Sequence, residues 1–229
     1  LKSLIKIKNE NISIWVFDIG SKNKKFLINS KDFPEINFIY ETETPNSNSK
    51  IRFDGKKKYY LNKIKKFFGL NSLRNGSHVN GWTIDYSIKY FNNLNYNPTF
   101  FMTMHMDIAI TSNNFINEII AKFNEKTCAV GVLKQPNLGG KFEILHSLGC
   151  MWKFKLLKNL NSSFLPELPN YDVGEKIFKI VYERGFKIEY FQNSLINNSL
   201  LNKVEKKYKN IGDRGVDLTL NKNNEVIFI

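Results

Sequence analysis

Cysteine and arginine are both scarce in this sequence, and each scarcity excludes a class of protein. The 229 residues include two cysteines, Cys128 and Cys150. Two are too few for the disulfide framework of a small secreted domain, and they fit a reducing compartment. Only four of the 34 residues that are Lys or Arg are arginine. Because arginine is the favoured bidentate contact to base edges, the sequence argues against a specific nucleic-acid reader.

Long apolar runs are also absent. No stretch approaches the roughly 18 apolar residues that a membrane-spanning helix needs, and the first residues lack the pattern of a signal peptide. We therefore expect a cytoplasmic protein. The chain begins at Leu1 rather than Met, and 225–229 reads as a strand that is still in progress. We therefore also expect a fragment of a longer protein.

Apolar side chains and positive charge are abundant. Hydrophobic residues make up 42% and aromatic residues 14%, which is enough for a globular core without disulfides or structural metal. The net charge of +13 has two interpretations. It attracts anionic lipid, nucleic acid or phosphorylated substrates, or it reflects a composition rich in Lys, Asn, Ile and Phe, which is the simpler explanation.

Strand-type and helix-type apolar patterns alternate along the chain. A strand is predicted at each of 12–17, 36–40, 99–104, 128–133 and 187–191, and a helix at each of 60–68, 80–91, 114–123 and 173–183. Segment 99–104 is apolar at nearly every position, as in the buried middle of a parallel sheet. We therefore predict an α/β fold with an open, mostly parallel sheet flanked by helices.

Acidic and imidazole side chains follow several of these strands. Asp18 follows the first strand, His105 and Asp107 follow the central one, and Asp172 precedes a later helix. Ligands of open α/β sheets bind outside the carboxyl ends of the strands. His105 and Asp107 are two residues apart, so both point to one side if the strand geometry continues. An imidazole with a carboxylate suits a divalent cation such as Mn²⁺ or Mg²⁺.

Each of these features also has an interpretation without chemistry. The pair after the central strand fits a polar strand end, and Asp18 fits a plain turn. Asp172, with Glu175 three residues later, matches a capping box, and this pattern alone favours a cap over a general base. A glycine-containing loop at 75–81 would suit phosphate through its backbone N–H groups, although such loops are common.

The succession of these motifs is more specific than any one of them. The chain presents Asp18-Ile-Gly-Ser21, then Asn75-Gly-Ser-His78 ahead of a helix, then His105-Met-Asp107 after a strand, then Tyr171-Asp-Val-Gly-Glu175. This succession resembles the family 2-like glycosyltransferases of GT-A fold, over residues 10–192. His105 stands where the family's Asp-x-Asp has its first Asp. Only the second acid of the family's later acidic pair is kept, as Asp172.

The resemblance implies a role for five residues. Asp18 would contact the donor nucleotide, and Asp85 would lie near its diphosphate. Asp107 would ligate a divalent cation, Mn²⁺ or Mg²⁺, with His105 near the ion or the diphosphate. Asp172 would be the base of an inverting displacement at the anomeric carbon.

The resemblance also implies a domain organisation. We expect one glycosyltransferase domain over 1–229, with a nucleotide-binding half at 1–104 and an acceptor and catalytic half at 105–229. The family's first strand, which lines the nucleotide pocket, would lie upstream of Leu1. A further His that often contacts metal or phosphate in the family would lie beyond Ile229.

The expected function is therefore metal-dependent, inverting glycosyl transfer. The partners would be a nucleotide-diphosphate sugar and a glycan or lipid-linked acceptor such as a surface-polymer precursor, with peripheral association with anionic membrane. One alternative is a nucleotidyltransferase, although we find no Gly-rich triphosphate loop. Another is a nucleic-acid-binding module, which the even spread of lysines disfavours. A third is a catalytically inactive relative acting as a binding module, which the His105 substitution keeps open.

Overall fold

Most of the predicted strands and helices are present in the predicted order, whereas the helices at Lys2–Ile7 and Phe154–Leu160 and the strand at Ile144–Lys153 were not predicted. The computed structural model describes residues 2–7, 9–19, 30–41, 75–105, 108, 110–134, 142–167, 170–193, 219–220 and 226–228. The helices are α1 (Lys2–Ile7), α2 (Asn75–Asn93), α3 (Phe115–Ile120), α4 (Phe154–Leu160) and α5 (Glu175–Glu183). The strands are β1 (Trp15–Ile19), β2 (Asn37–Glu41), β3 (Phe100–Met104), β4 (Thr127–Lys134), β5 (Ile144–Lys153), β6 (Lys187–Asn193), β7 (Thr219–Leu220) and β8 (Val226–Phe228). The predicted helix at 60–68 lies outside the described residues.

These strands form two sheets. Strands β1 and β2 pair in parallel, with Trp15 opposite Asn37. The other six strands are ordered β3-β5-β4-β6-β7-β8. Within this larger sheet β4 and β6 pair in parallel, whereas the other described neighbours pair antiparallel. The predicted open α/β sheet is confirmed, but the prediction that it is mostly parallel is wrong, because the sheet is mixed.

The prediction that 99–104 lies in the buried middle of a parallel sheet is also wrong, because β3 is the first strand of the described order, pairs antiparallel with β5, and alternates between half-buried and buried residues. Strand β4 shows why an apolar run does not give strand direction. The six residues from Thr127 to Val132 in β4 are all buried, so the strand has no polar side to alternate with. An apolar run of this kind indicates two covered faces, but it carries no information about the direction of the neighbouring strand. That neighbour is β5, which runs antiparallel to β4 and continues directly into α4.

Successive residues of the central strands enter two separate hydrophobic cores, as side-chain alternation requires. Trp152 of β5 and Ala129 of β4 belong to one core, which also contains residues of α2, α4 and α5. Met151 and Val130 belong to the other, against which α1 and α3 pack. Helices therefore cover both faces of the larger sheet.

Helix α2 supports both sheets through one aromatic residue. The ring of Phe91 lies 5.2 Å from Trp15 and 5.8 Å from Phe17 of β1, measured between centroids. It also lies 5.9 Å from Phe101 of β3. Such edge-to-face contacts stabilise by about 0.5–1.5 kcal/mol each beyond simple burial. Strands β1 and β3 therefore rest side by side on the same helix.

The same contacts give the direction of the two strands. Trp15 also contacts Tyr96, beyond the end of α2, whereas Phe17 also contacts Tyr86, nearer its start. Strand β1 therefore runs opposite to α2. Phe101, near the start of β3, contacts Phe91 in the last turn of α2, whereas Thr103, near its end, is joined through Ser147, Gly174 and Phe164 to Gly81 of α2. We infer that β3 also runs opposite to α2, so β1 and β3 run the same way.

A glycine allows the close contact of β4 with β5. A Cβ added at Gly131 would lie 2.5 Å from Cys150 Cβ and 2.6 Å from the Gly149 carbonyl oxygen. We expect Gly131→Ala to destabilise the protein by about 3 kcal/mol, because overfilled cores cost that much when backbone must shift. For a domain of this size, thermal unfolding should show a decrease of about 6–12 °C in Tm.

Gly149→Ala is the matched control, since a Cβ there meets nothing nearer than Val132 Cγ2 at 3.6 Å. We expect its Tm to stay within about 3 °C of the unsubstituted chain. Equal losses in both variants would show that strand glycine content, and not the β4–β5 contact, limits stability.

Candidate functional site

The carboxyl ends of three strands meet at one edge of the larger sheet. Strand β5 runs antiparallel to both β3 and β4, and β6 runs parallel to β4. Strands β3, β4 and β6 therefore end on the same side, which we call the carboxyl edge. His105 follows β3 there, and Lys134 ends β4. Open α/β sheets bind ligands at this kind of edge.

A buried group of charges occupies the carboxyl edge. Lys134 Nζ lies 3.6 Å from Asp172 Oδ2 and 3.8 Å from Glu175 Oε1. Asp172 is 9% exposed and Glu175 is 4% exposed. Buried carboxylates are costly unless they are paired, and the ammonium of Lys134 lies within ion-pair distance of both. We call these three residues the Lys134 charge cluster.

Backbone groups orient both carboxylates of the cluster. The Val173 N–H donates to Asp172 Oδ1 at 2.8 Å, and the Asp172 N–H donates to Glu175 Oε2 at 3.0 Å. Half of the predicted capping box is therefore present, because Glu175 reaches back along the chain. The other half is wrong: the N-cap residue of α5 is Gly174, with φ of 72°. The helix begins at Glu175 rather than at Val173, and the Asp172 carboxylate faces Lys134.

The turn that carries Asp172 is fixed against the sheet. A Cβ added at Gly174 would lie 3.1 Å from both Ser147 Cβ of β5 and Phe164 Cδ1, and the Gly174 N–H donates to the Phe164 carbonyl at 3.0 Å. The Ser147 carbonyl accepts in turn from the Thr103 hydroxyl of β3. This series of contacts joins Asp172 to the strand that His105 follows, so the structure brings the two residues to the same edge.

Asp18 lies near the corresponding end of the smaller sheet. It is the fourth residue of β1, opposite Tyr40 of β2, and its side chain is half-buried. Because β1 and β3 run in the same direction, Asp18 and His105 lie toward the same end of their strands. The predicted contact of Asp18 with a nucleotide stays a prediction.

Asp85 lies on α2 and anchors a loop. Its Oδ1 accepts from the Phe164 N–H at 2.9 Å, and its Oδ2 accepts from the Ser163 hydroxyl. Gly81, one turn earlier, lets Phe164 approach the helix, because a Cβ there would lie 2.5 Å from the Phe164 carbonyl oxygen. Burial raises the pKa of Asp85, and its two hydrogen bonds oppose that rise. Asp85 supports the Asp172 turn through Phe164, and its predicted position near a diphosphate stays a prediction.

The remaining predicted ligands have different outcomes. Asp107 lies outside the described residues, so its pairing with half-buried His105 stays a prediction. Among the residues that the structure describes, no group of three or more His, Cys, Asp or Glu side chains is placed to hold a metal ion.

The predicted phosphate-facing loop at 75–81 is wrong, since these residues form the start of α2. Its second glycine is there for packing, as the contact of Gly81 with Phe164 shows.

Sequence reasoning missed Lys134, which is central to the charge cluster. A lysine carries little signal in a chain with 34 Lys and Arg residues. Its position was the available signal: it directly follows an unbroken apolar strand, and such a residue lies at the carboxyl edge of a buried sheet.

Comparison with known proteins adds no family to this geometry. No known family model matches the chain, and no curated protein matches it. Within the described residues, no helix has the length and apolar character needed to cross a bilayer. Function is therefore argued from the site itself.

The Lys134 charge cluster predicts that replacing Lys134 destabilises the protein more than replacing a surface lysine. Lys134→Met leaves two buried carboxylates without their shared cation, and we expect a loss of about 2 kcal/mol, reduced from the fully buried case because Lys134 is 21% exposed. This corresponds to a decrease of about 4–8 °C in Tm at neutral pH.

The control is Lys176→Met, which breaks the ion pair with Glu167 on the surface, where Lys176 is 39% exposed. We expect a change below about 1 kcal/mol there. If the two variants unfold at the same temperature, Lys134 does not hold the carboxylates.

The hydrogen bonds of Asp85 predict that asparagine and alanine substitutions at this position differ in stability. Asp85→Ala leaves the Phe164 N–H without its acceptor, and we expect a loss of about 1–3 kcal/mol in the free energy of unfolding. Asp85→Asn keeps an acceptor oxygen and removes the buried charge, so it should lie within about 1 kcal/mol of the unsubstituted chain. Urea unfolding of both variants measures this difference.

The pH dependence of that contrast has a definite sign. The pKa of Asp85 is raised in the folded state, so the stability linked to this group is greatest at acid pH and is lost as pH rises through the folded-state pKa. The unsubstituted chain should therefore lose stability relative to Asp85→Asn over that interval. An opposite slope would mean that the hydrogen bonds, and not burial, dominate the titration.

Proposed function

We propose that this chain is the catalytic domain of an inverting glycosyltransferase that uses a nucleotide-diphosphate sugar. The observation that carries the proposal is the oriented Asp172 carboxylate at the carboxyl edge, paired with Lys134 at 3.6 Å beside the strand that His105 follows. The succession of motifs that resembles family 2-like glycosyltransferases supports the same function. The fold would be of GT-A type.

Asp172 is the general base in this proposal. Lys134 Nζ lies 3.6 Å from Oδ2 and the Val173 N–H donates to Oδ1 at 2.8 Å, so the carboxylate is already oriented and can accept a proton without first moving. An acceptor hydroxyl loses its proton to Asp172 as its oxygen bonds to the anomeric carbon of the donor. The bond from that carbon to the diphosphate breaks, and its electron pair leaves with the nucleoside diphosphate. One displacement of this kind inverts the configuration.

His105 and Asp107 would hold the divalent cation, Mn²⁺ or Mg²⁺, because their nitrogen and oxygen donors suit such an ion. Such an ion would neutralise the charge that develops on the departing diphosphate. Asp18, at the matching end of β1, would hydrogen-bond the nucleotide. The acceptor would be a glycan or a lipid-linked sugar, and the net charge of +13 would favour anionic membranes where such acceptors lie.

The proposal predicts that one variant loses metal-dependent nucleotide binding and that another keeps binding but loses turnover. We expect one of UDP, GDP, ADP or CDP to stabilise the protein in the presence of Mn²⁺. At a hundred times its Kd the ligand should add about 2.7 kcal/mol to the free energy of unfolding, which a thermal-shift measurement detects as a higher Tm. Asp107→Ala should abolish this metal-dependent shift. Asp172→Asn should keep it, while reducing kcat for sugar transfer by about 10²–10⁴-fold.

Glu167→Gln is the matched control, because Glu167 is an exposed acid five residues before Asp172; its kcat should stay within about twofold of the unsubstituted chain. A binding shift without turnover in the unsubstituted chain would indicate an inactive binding module instead. Nucleotide transfer from a triphosphate would indicate a nucleotidyltransferase, and no response to any nucleotide would exclude the proposal for this chain.

A further inference from the structure

The edge of the larger sheet opposite the carboxyl edge is made by four segments of the chain. Strands β3, β4 and β6 begin at this edge, and β5 ends there. The segments next to these strand ends are 94–99, 121–126, 153–159 and 184–187. We call them together the amino edge.

Hydrogen bonds join these segments to one another. The Phe154 N–H donates to the Thr99 carbonyl at 3.1 Å, and the Lys187 N–H donates to the Lys126 carbonyl at 2.9 Å. A third hydrogen bond, from the Lys153 side chain to a carbonyl of the connection between α3 and β4, joins one pair of segments to the other. The amino edge is therefore one continuous surface.

Positive charge is concentrated on the amino edge. Its four segments carry seven cationic side chains and one acid, Glu125, so their net charge is +6. The guanidinium of Arg184 donates to the carbonyls of Asn159 and Leu160, so this cation is used within the fold. The other six cations are Lys122, Lys126, Lys153, Lys155, Lys158 and Lys187. Among the described residues, none of these six lysines forms an ion pair with an acid, and such a surface attracts a polyanion.

Apolar side chains are exposed on the same surface. Leu94 is large and apolar, yet it is 53% exposed, and Pro98, Phe123 and Phe186 are half-buried. Lysines around exposed apolar side chains suit the interface of an anionic bilayer, where ammonium groups meet the lipid headgroups and apolar groups enter the acyl boundary. A nucleic acid would compensate the charge but leave Leu94 in water, and base recognition favours arginine over lysine.

We propose that the amino edge docks on an anionic phospholipid bilayer and directs the candidate site away from it. The six lysines would lie against the lipid phosphates, and Leu94 would enter the acyl boundary. The carboxyl edge points the opposite way because β3, β4 and β6 run from one edge to the other.

The docking stands on the charges and apolar side chains of the amino edge, whereas its consequence for the acceptor rests on the proposed function. The eight residues of β4 separate the two edges by roughly 26 Å. A lipid-linked acceptor would need a glycan that extends at least that far from the bilayer to reach Asp172. The docked orientation therefore favours a long glycan over a lipid-linked monosaccharide.

A fluorophore attached at each edge tests the docking and its direction. The native cysteines, Cys128 and Cys150, are both fully buried, and burial raises the pKa of each thiol to about 12, so a maleimide labels an introduced surface cysteine selectively. The probe is a nitrobenzoxadiazole maleimide, attached in one protein to Leu94→Cys and in the other to Glu167→Cys. Glu167 pairs with Tyr171, beside the turn that carries Asp172.

The two labelled proteins should respond differently to vesicles of phosphatidylglycerol. We expect the emission of the probe at 94 to increase by about twofold or more and to shift to the blue, because this probe leaves water for the acyl boundary. The probe at 167 should keep its emission. Vesicles of phosphatidylcholine should leave both probes unchanged.

Charge reversal tests the lysines in an otherwise unsubstituted chain. Lys126→Glu should weaken co-sedimentation with phosphatidylglycerol vesicles by about tenfold or more, because each lysine near an anionic surface contributes roughly fivefold and the substitution changes the charge by two units. Lys176→Glu is the matched control, since it makes the same change in net charge in the first turn of α5. Its binding should change by less than about threefold, because salt screens charges that lie far from the bilayer.

Four results would overturn the proposal. A response at 167 rather than at 94 would reverse the orientation, and equal losses in the two lysine variants would mean that net charge alone drives binding. A Leu94→Cys thiol that does not react in the absence of vesicles would show that a segment of this chain covers the amino edge. A response at 94 to single-stranded DNA but not to vesicles would make nucleic acid the partner. These measurements use no nucleotide sugar, so their outcome is separate from that of the test for sugar transfer.

Discussion

Strand β5 lies between β3 and β4, and β4 approaches it so closely that Gly131 leaves no space for a Cβ against Cys150. Because β5 opposes both neighbours, β3 and β4 must run in the same direction. Their carboxyl ends therefore meet at one edge, and this is what brings His105 and Lys134 into the same region. Without β5 in this place, the residues of the candidate site would have no common side.

Electrostatics decides what can be built at that edge. The Asp172 turn buries two carboxylates, and each buried charge costs several kcal/mol unless a partner offsets it. Lys134 offsets both, and backbone N–H groups from Asp172 and Val173 take up further oxygens. The result is a carboxylate with a defined orientation, as the proposed general base requires.

The support for this turn extends far along the chain. Asp85 and Gly81 of α2 hold Phe164, and Phe164 packs on Gly174 beside Asp172. The smaller sheet, which carries Asp18, reaches the same helix through Trp15 and Phe17. Helix α2 thus links the two regions that the proposed function requires to act on one ligand.

Much of the local structure was predictable because side-chain periodicity is a local property. Strands β1, β2, β3, β4 and β6 and helices α2, α3 and α5 were each predicted within a few residues, and so was the strand near the end of the chain. The start of α2 was missed because Gly76 and Gly81 suggested a loop. Of the candidate site, the sequence indicated Asp172 and His105, since acidic and imidazole groups beside apolar strands stand out.

The sequence by itself determined most of the strands and helices, since side-chain periodicity depends on residues close together in the chain; it did not predict α1, β5 or α4. Only the tertiary structure decided that β5 runs antiparallel between β3 and β4, that Lys134 pairs with Asp172 and Glu175, and that Asp85 holds Phe164. Each of these depends on the direction and spacing of segments that are distant in sequence. The same Lys, Asp and Glu residues could form a surface lysine, a capping acid or a buried ion pair, and only the packing of distant segments decides which of these they form.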